Sequence, residues 1–232
     1  MTYLLVLIVV ILVFYLYFRK VWFYRRPKRY PPEKEGVIIS PADGQIVYLR
    51  PFLDGVIVSE KLEERIALTE ITKMEGWPAE GWIIGIYMSP LDVHYNYAPI
   101  KGQIKKMFHL KTQLNLPMLD LLEYVRITFL RRALNLLAKK FHLQNERNVI
   151  FMEGELKLAV VEIADKYINK IRPLVSEGAE VEIGQEIGFI DRGSQVDLII
   201  FNKDIKIAVR FGQQVFGGKT ILARYRNRNK KA

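Results

Sequence analysis

The chain has 232 residues and no cysteine, which excludes disulfides, cysteine-ligated zinc or iron–sulfur centres and a thiol nucleophile. Three histidines, His94, His109 and His142, and no His-Glu-x-x-His pattern leave no expectation of a metal site. The net charge of +10 sits at the two ends: six basic residues and no acid fall between Arg19 and Arg29, and five between Arg224 and Lys231. That distribution suits an anionic membrane surface. With no helix-turn-helix, zinc-finger or RNP pattern, nucleic acid is not an expected partner.

Residues 3–18 carry no charge, Gly or Pro, and with Met1 and Thr2 they make a run of 18 residues. As a helix this is about 27 Å long, enough to cross a hydrocarbon core. It has neither the basic start nor the small-x-small site of a secretory leader. We expect a single-pass transmembrane anchor over 1–20. Trp22, Phe23 and Tyr24 then form an interfacial aromatic belt, and the basic residues beside them place the following domain on the cytoplasmic side of the cell membrane. Residues 21–36, with Pro27, Pro31, Pro32 and Gly36, read as a stiff, extended juxtamembrane linker.

From Val37 the texture changes. β-Branched and aromatic stretches separated by Gly, Pro and Asp predict strands at 37–40, 45–49, 55–59, 81–88, 148–153, 156–163, 170–175, 180–190, 194–201, 205–211 and 220–225. Residues 94–106 are extended, with a turn at Lys101-Gly102. Asn115 and Pro117 mark a helix start, and apolar residues from Leu119 to Leu137 recur at helical spacing. This predicts one longer amphipathic helix, an insertion over about 115–141. Its Arg126, Arg131, Arg132, Lys139 and Lys140 suit either packing on the sheet or lying on the membrane. The rhythm of 175–188 resembles half of a biotinyl-type barrel-sandwich, in which two such hairpins pack together. The expected fold is mainly β (α+β), a β-rich barrel or sandwich over 37–223, with a basic tail at 224–232.

Three stretches carry side chains suited to chemistry. Ser40–Gly44 is a turn by composition, with Asp43 as its cap or as a functional acid. Ser89–Pro99 gathers Asp92, His94, Asn96 and two tyrosines beside prolines. Gly193-Ser194, taken alone, is an ordinary turn.

Together with Asn145-Glu146-Arg147, the motifs Ser-Pro-Ala-Asp-Gly44, Met88-Ser-Pro-Leu-Asp-Val-His94 and Gly193-Ser-Gln-Val-Asp197 stand in a recognisable series. Their order and approximate spacing resemble the phosphatidylserine decarboxylase family, closest to its short archaeal and bacterial branch, over residues 1–215. The resemblance implies a proenzyme. Ser194 would attack the Gly193 carbonyl in an N→O acyl shift, β-elimination would break the ester, and hydrolysis would leave a pyruvoyl group at residue 194. That self-made cofactor would form a Schiff base with a serine phospholipid, phosphatidylserine or archaetidylserine, and take up charge as CO₂ leaves. Asp43 and His94 would supply or orient the base for cleavage. His94, titrating near neutral pH, would return a proton to the substrate carbon. Asn96 and Tyr97 are candidate substrate-binding residues. The implied partners are the serine lipid, the membrane surface, and either a second copy or the αβ fragments of one chain.

The chain departs from that branch at Tyr97, where longer members have a second His, at Arg192, which is usually apolar, and over 163–171, which lacks a Gly and paired arginines. These changes keep a second reading open, an uncleaved relative that binds lipid or acts as a scaffold. A membrane-tethered transporter adaptor is a third, and would need a second hairpin like 175–188.

Overall fold

The computed structural model describes residues 2–58, 65–112, 115–137, 141–166, 171–191 and 194–226. Helix α1 (Thr2–Tyr17) runs into one wider turn, Phe18–Trp22. Thr2–Trp22 is long and apolar enough to cross a membrane, and none of it is buried against the rest of the chain. There follow β1 (Val37–Ile39), β2 (Gly44–Leu53), β3 (Val56–Val58), β4 (Arg65–Ala67), α2 (Leu68–Thr72), β5 (Gly81–Met88), β6 (Tyr95–Tyr97) and β7 (Gly102–Leu110). Next come α3 (Leu121–Thr128), α4 (Phe141–Gln144), β8 (Arg147–Gly154), β9 (Lys157–Ala164), β10 (Ile171–Pro173), β11 (Glu180–Val181) and β12 (Glu186–Ile190). The chain closes with β13 (Ser194–Ile200), β14 (Ile205–Ile207), β15 (Gln214–Val215) and β16 (Ile221–Tyr225).

Nine strands form one large antiparallel sheet in the order β11-β7-β8-β9-β13-β5-β2-β3-β4, with β15 beside β2. Two smaller sheets, β1-β16-β14 and β6-β12-β10, cover one of its faces. Side chains alternate across a strand, so β13 serves two cores at once. Val196, Leu198 and Ile200 meet Ile84, Ile86, Val160 and the small sheets. Ile199 and Phe201 meet Ile83, Val161 and Phe151 on the opposite face, which α4 and the chain around 116–137 cover. By the same alternation Ser194 belongs to the first face, and Gln195 and Asp197 to the second.

The mainly-β expectation is met, and the expected closed barrel is not. The edge strands β11 and β4 pair with β7 and β3, and no bond joins the two edges among the described residues. The spacing within 175–188 recurs in a second stretch of the chain. Gly178, Val181, Gly184 and Ile187 recur at the same spacing as Gly212, Val215, Gly218 and Ile221. All four glycines have φ between 72 and 84°, a region that glycine alone enters readily. Equivalent bonds hold the two copies: Gly178 and Gly184 N–H donate to Ile104 and Ala98 carbonyls, Gly212 and Gly218 N–H to Ile46 and Ser40 carbonyls. The acceptor segments are themselves alike, Pro41-Ala-Asp-Gly-Gln-Ile46 and Pro99-Ile-Lys-Gly-Gln-Ile104. The domain is thus two similar units meeting between β9 and β13, with one unit (β6–β12) inserted into the other.

The long helix expected over 115–141 does not form. Asn115 Oδ1 accepts from Glu146 N–H, and Asn145 Oδ1 from Leu116 N–H, each at 2.7 Å, which pins this stretch to the loop before β8. The helix starts instead after Asp120, whose side chain caps Glu123 N–H in a capping box. It ends within eight residues, and Arg131 then takes a φ of 51°. Ile127 and Thr128 are buried, while Leu121 and Leu122 are 77% and 81% exposed.

Candidate active site

The Ser40–Gly44 turn is closed by Ser40 Oγ, which donates to the Ala42 carbonyl at 2.7 Å. Asp43 is buried and accepts two contacts of 2.8 Å from Arg29 Nη2 and one of 2.7 Å from Gly217 N–H. Burial pushes its carboxyl up, while the guanidinium and the N–H hold it down. The same contact favours the charged form of Arg29 against burial. Pro41 C=O accepts from Tyr97 N–H at 2.8 Å, which ties this turn to β6. In the second motif Asp92 accepts from Ser89 N–H and Oγ at 2.9 and 2.6 Å, making the turn that leads into His94.

Ser194 is fully buried at the first position of β13, opposite Met88 on β5 and Ala164 on β9. Its Oγ lies 3.4 Å from Met88 Sδ, and that sulfur is 3.8 Å from Asn96 Nδ2. The three motif segments therefore converge, but their polar side chains do not form one chain of bonds. Among the described residues no hydrogen bond joins Ser194 to His94 or to Asp43. Gly193 and Arg192 lie outside the described residues, as do 167–170 of the 163–171 stretch.

His94 is fully buried and neither ring nitrogen has a partner. Phe23 lies on it with ring centroids 4.2 Å apart. Burial drives the imidazole down to about 3; the Asp92 backbone opposes this and the Arg25 charge adds to it. In this arrangement His94 is neutral at physiological pH, unlike the group titrating near 7 that was expected.

The linker is not a free spacer. Tyr24 stacks on Phe189 at 5.6 Å, Arg25 Nη2 donates to the Leu91 carbonyl at 2.6 Å, and Arg26 Nε donates to Glu186 at 2.7 Å. Pro31 fills the space where a side chain on Gly184 would stand. Three arginines assigned to the membrane by composition are thus turned onto the domain. The interleaved aromatics and prolines were the available signal that this run docks.

Two buried polar clusters were not legible as such. On the Ser194 face, Glu162 accepts from Asn148 Nδ2 at 2.7 Å, while its Oε1 has no partner. Burial raises its carboxyl to about 8, against the Asn148 bond. On the opposite face, Gln195 Nε2 lies 2.8 Å from Tyr48 Oη, 2.7 Å from Asp197 Oδ1 and 2.9 Å from His142 Nε2. Burial raises Asp197 to about 7. Arg147 of the Asn-Glu-Arg motif is a structural pin, donating to the carbonyls of Ile71, Glu70 and His142.

A sequence profile of the family described as phosphatidylserine decarboxylase matches residues 17–223. A putative archaetidylserine decarboxylase proenzyme of Methanocaldococcus jannaschii is 31% identical over 210 residues, 90% of this chain and 91% of that one. A phosphatidylserine decarboxylase proenzyme of Carboxydothermus hydrogenoformans is 31% identical over 217 residues, 92% of this chain and 83% of the relative. The phosphatidylserine decarboxylase proenzyme of Magnetococcus marinus is 28% identical over 210 residues, 90% and 78% of the two chains.

Proposed function

The chain belongs to the phosphatidylserine decarboxylase family of carboxy-lyases, and we propose that it is a membrane-anchored, pyruvoyl-dependent decarboxylase of a serine phospholipid, matured by cleavage of its own Gly193-Ser194 bond. The observation that carries this reading is the position of Ser194. It opens a strand paired along its whole length on both sides. A break before it leaves that ladder intact. The fragment starting at Ser194 stays bound in the middle of the large sheet through β13, beside β2 through β15, and against β1 through β16.

In this reading Ser194 Oγ attacks the Gly193 carbonyl carbon and gives its proton to a base. Asp43 and His94 are the candidates for supplying or orienting that base. The surroundings of Ser194 fit the group it would become. Asn96 Nδ2, a donor of the kind a pyruvoyl oxygen needs, reaches the sulfur that touches Ser194. Once formed, a pyruvoyl carbonyl supplies the electron sink that decarboxylation needs. His94 is the candidate proton donor to the substrate carbon, a role that requires its buried, neutral imidazole to regain water or a charged partner, and Phe23 is the ring that covers it. The exposed apolar helix Thr2–Trp22 supports anchoring in the cell membrane, and exposed Leu121 and Leu122 on α3 add a second apolar surface.

Intact-mass measurement of the purified full-length chain tests the reading. Two fragments divided at 193/194 are expected, the second beginning with a pyruvoyl group. Ser194→Ala should give one uncut chain that releases no CO₂ from a serine lipid. An uncut wild-type chain with full activity overturns the reading.

A further inference from the structure

We propose that the groove between the juxtamembrane strap and the β6–β12 pair binds the phosphodiester group of a membrane phospholipid. The groove has a volume of about 670 Å³ and is lined by Arg26, Lys28, Arg29, Tyr97, Gly184 and Glu186, among others. Two donors within it are under-used. Tyr97 is 1% exposed; its Oη faces the Arg29 guanidinium and interacts with it, but neither that hydroxyl nor the buried Nε of Arg29 makes a full hydrogen bond. The Arg29 guanidinium lies 5.7 Å from the Tyr97 ring centre, so both donors belong to one wall. A buried donor left unpaired is costly, and an acceptor arriving from outside the chain satisfies both at once.

The charge balance selects the class of acceptor. Arg26 pairs with Glu186 and Arg29 with Asp43. Lys28 is exposed, with no partner among the described residues. One positive charge is therefore uncompensated. A phosphodiester carries one negative charge and presents two oxygens, matching that balance; inorganic phosphate near neutral pH carries more charge. Depth points the same way. Arg26 follows the apolar helix end at Trp22 by four residues, at most about 13 Å of extended chain, which keeps the groove near the headgroup layer. The proposal deepens the decarboxylase reading and rests on it only in naming the lipid a substrate.

The test uses the full-length chain in neutral detergent micelles, titrated calorimetrically with short-chain phosphatidylglycerol, which has a phosphodiester but no amine to react. Wild type and Ser194→Ala should bind it alike. Lys28→Glu and Tyr97→Phe should each weaken binding about tenfold, the loss expected for one charge-assisted contact. Lys206→Glu, an equal charge change on β14 away from the groove, should leave binding unchanged. With a serine lipid, the two groove variants should raise KM and spare kcat and chain cleavage. Equal binding by wild type, Lys28→Glu and Tyr97→Phe overturns the proposal. So does inorganic phosphate competing as well as the lipid, which would make this a free-anion site. Tight, groove-dependent binding by a wild type that releases no CO₂ would overturn the decarboxylase reading and leave the groove assignment standing.

Discussion

Gly188 holds the site together by what it lacks. It pairs with Asn96 across β12 and β6, and a Cβ there would overlap Glu162 Oε1 on the large sheet below. The Glu162 carboxyl could make room only by turning away from Asn148 in a fully buried layer. Gly188→Ala should therefore destabilise the fold by about 1–3 kcal/mol, as overpacking does, and loosen Asn96 from Met88. In a Glu162→Ala background the same substitution should cost clearly less, because the overlap is gone; denaturation midpoints of the four variants check this. Equal costs in both backgrounds would show that Glu162 is not what Gly188 accommodates. At this scale Asp43, His94 and Ser194 were legible as candidates, each standing in a short polar motif. Met88 and Glu162 were not. One is an apolar residue at a motif's edge, the other an acid inside the run Leu158–Ile163, and only sheet pairing to Ser194 and Asn148 gives them their places.

Among the elements, the strap from Phe23 to Gly36 does what the sequence suggested least. Read as a spacer, it runs across both glycine turns, with Arg29 beside Gly218 and Pro31 against Gly184, and it shuts His94 from water. Short strands were legible because alternation is a local signal. The docking of the strap and the early end of α3 depend on partners far along the chain, Asp43 and Glu186 for one, Asn145 and Glu146 for the other. The strap's role predicts a measurable change. Phe23→Ala removes the ring over His94, admits water and relieves the burial that holds the imidazole near 3. Its pKa should rise towards the ordinary 6.5, and the titration of its ring protons by NMR, assigned with His94→Gln, follows the shift directly. Loss of the buried ring should also cost about 3 kcal/mol of stability. An imidazole that stays neutral down to pH 4 in Phe23→Ala would show that Phe23 is not its seal.

The whole domain is built as two like units around β9 and β13, and each face of that central pair carries a buried acid: Glu162 on one, Asp197 on the other. The repeat was open to inspection in the paired Gly-x-x-Val-x-x-Gly-x-x-Ile spacings, yet its consequence, an open sheet rather than a barrel, depends on which strands become edges. The buried acids set how stability varies with pH. Folded Glu162 keeps its proton to about 8 and Asp197 to about 7, where the unfolded chain releases them at the ordinary carboxylate values of 4.5 and 3.8. The folded state then binds more protons, so this stabilisation is complete below those unfolded values and is lost as pH rises through 7 and 8. His94 acts in the opposite sense: the unfolded imidazole charges below about 6.5 and the folded one only near 3, so stability is lost as pH falls through that range. Between pH 5 and 6.5 the two acids outweigh the one histidine. Above 6.5 the histidine drops out and the decline steepens, and from pH 7 to 8 Glu162 is the one of these three groups still acting. One such proton is worth about 1.4 kcal/mol per pH unit, or roughly 3–5 °C in thermal midpoint for a chain of this size. The midpoint in micelles should fall from pH 5 to 8, and Glu162→Gln, which keeps an acceptor for Asn148 but cannot ionise, should flatten the limb between 7 and 8. Asp197→Asn should instead reduce the slope below 7. A Glu162→Gln variant with the wild-type slope above pH 7 would mean that Glu162 is already ionised inside the folded protein, and that the core between β9 and the small sheets is wetter than its packing implies.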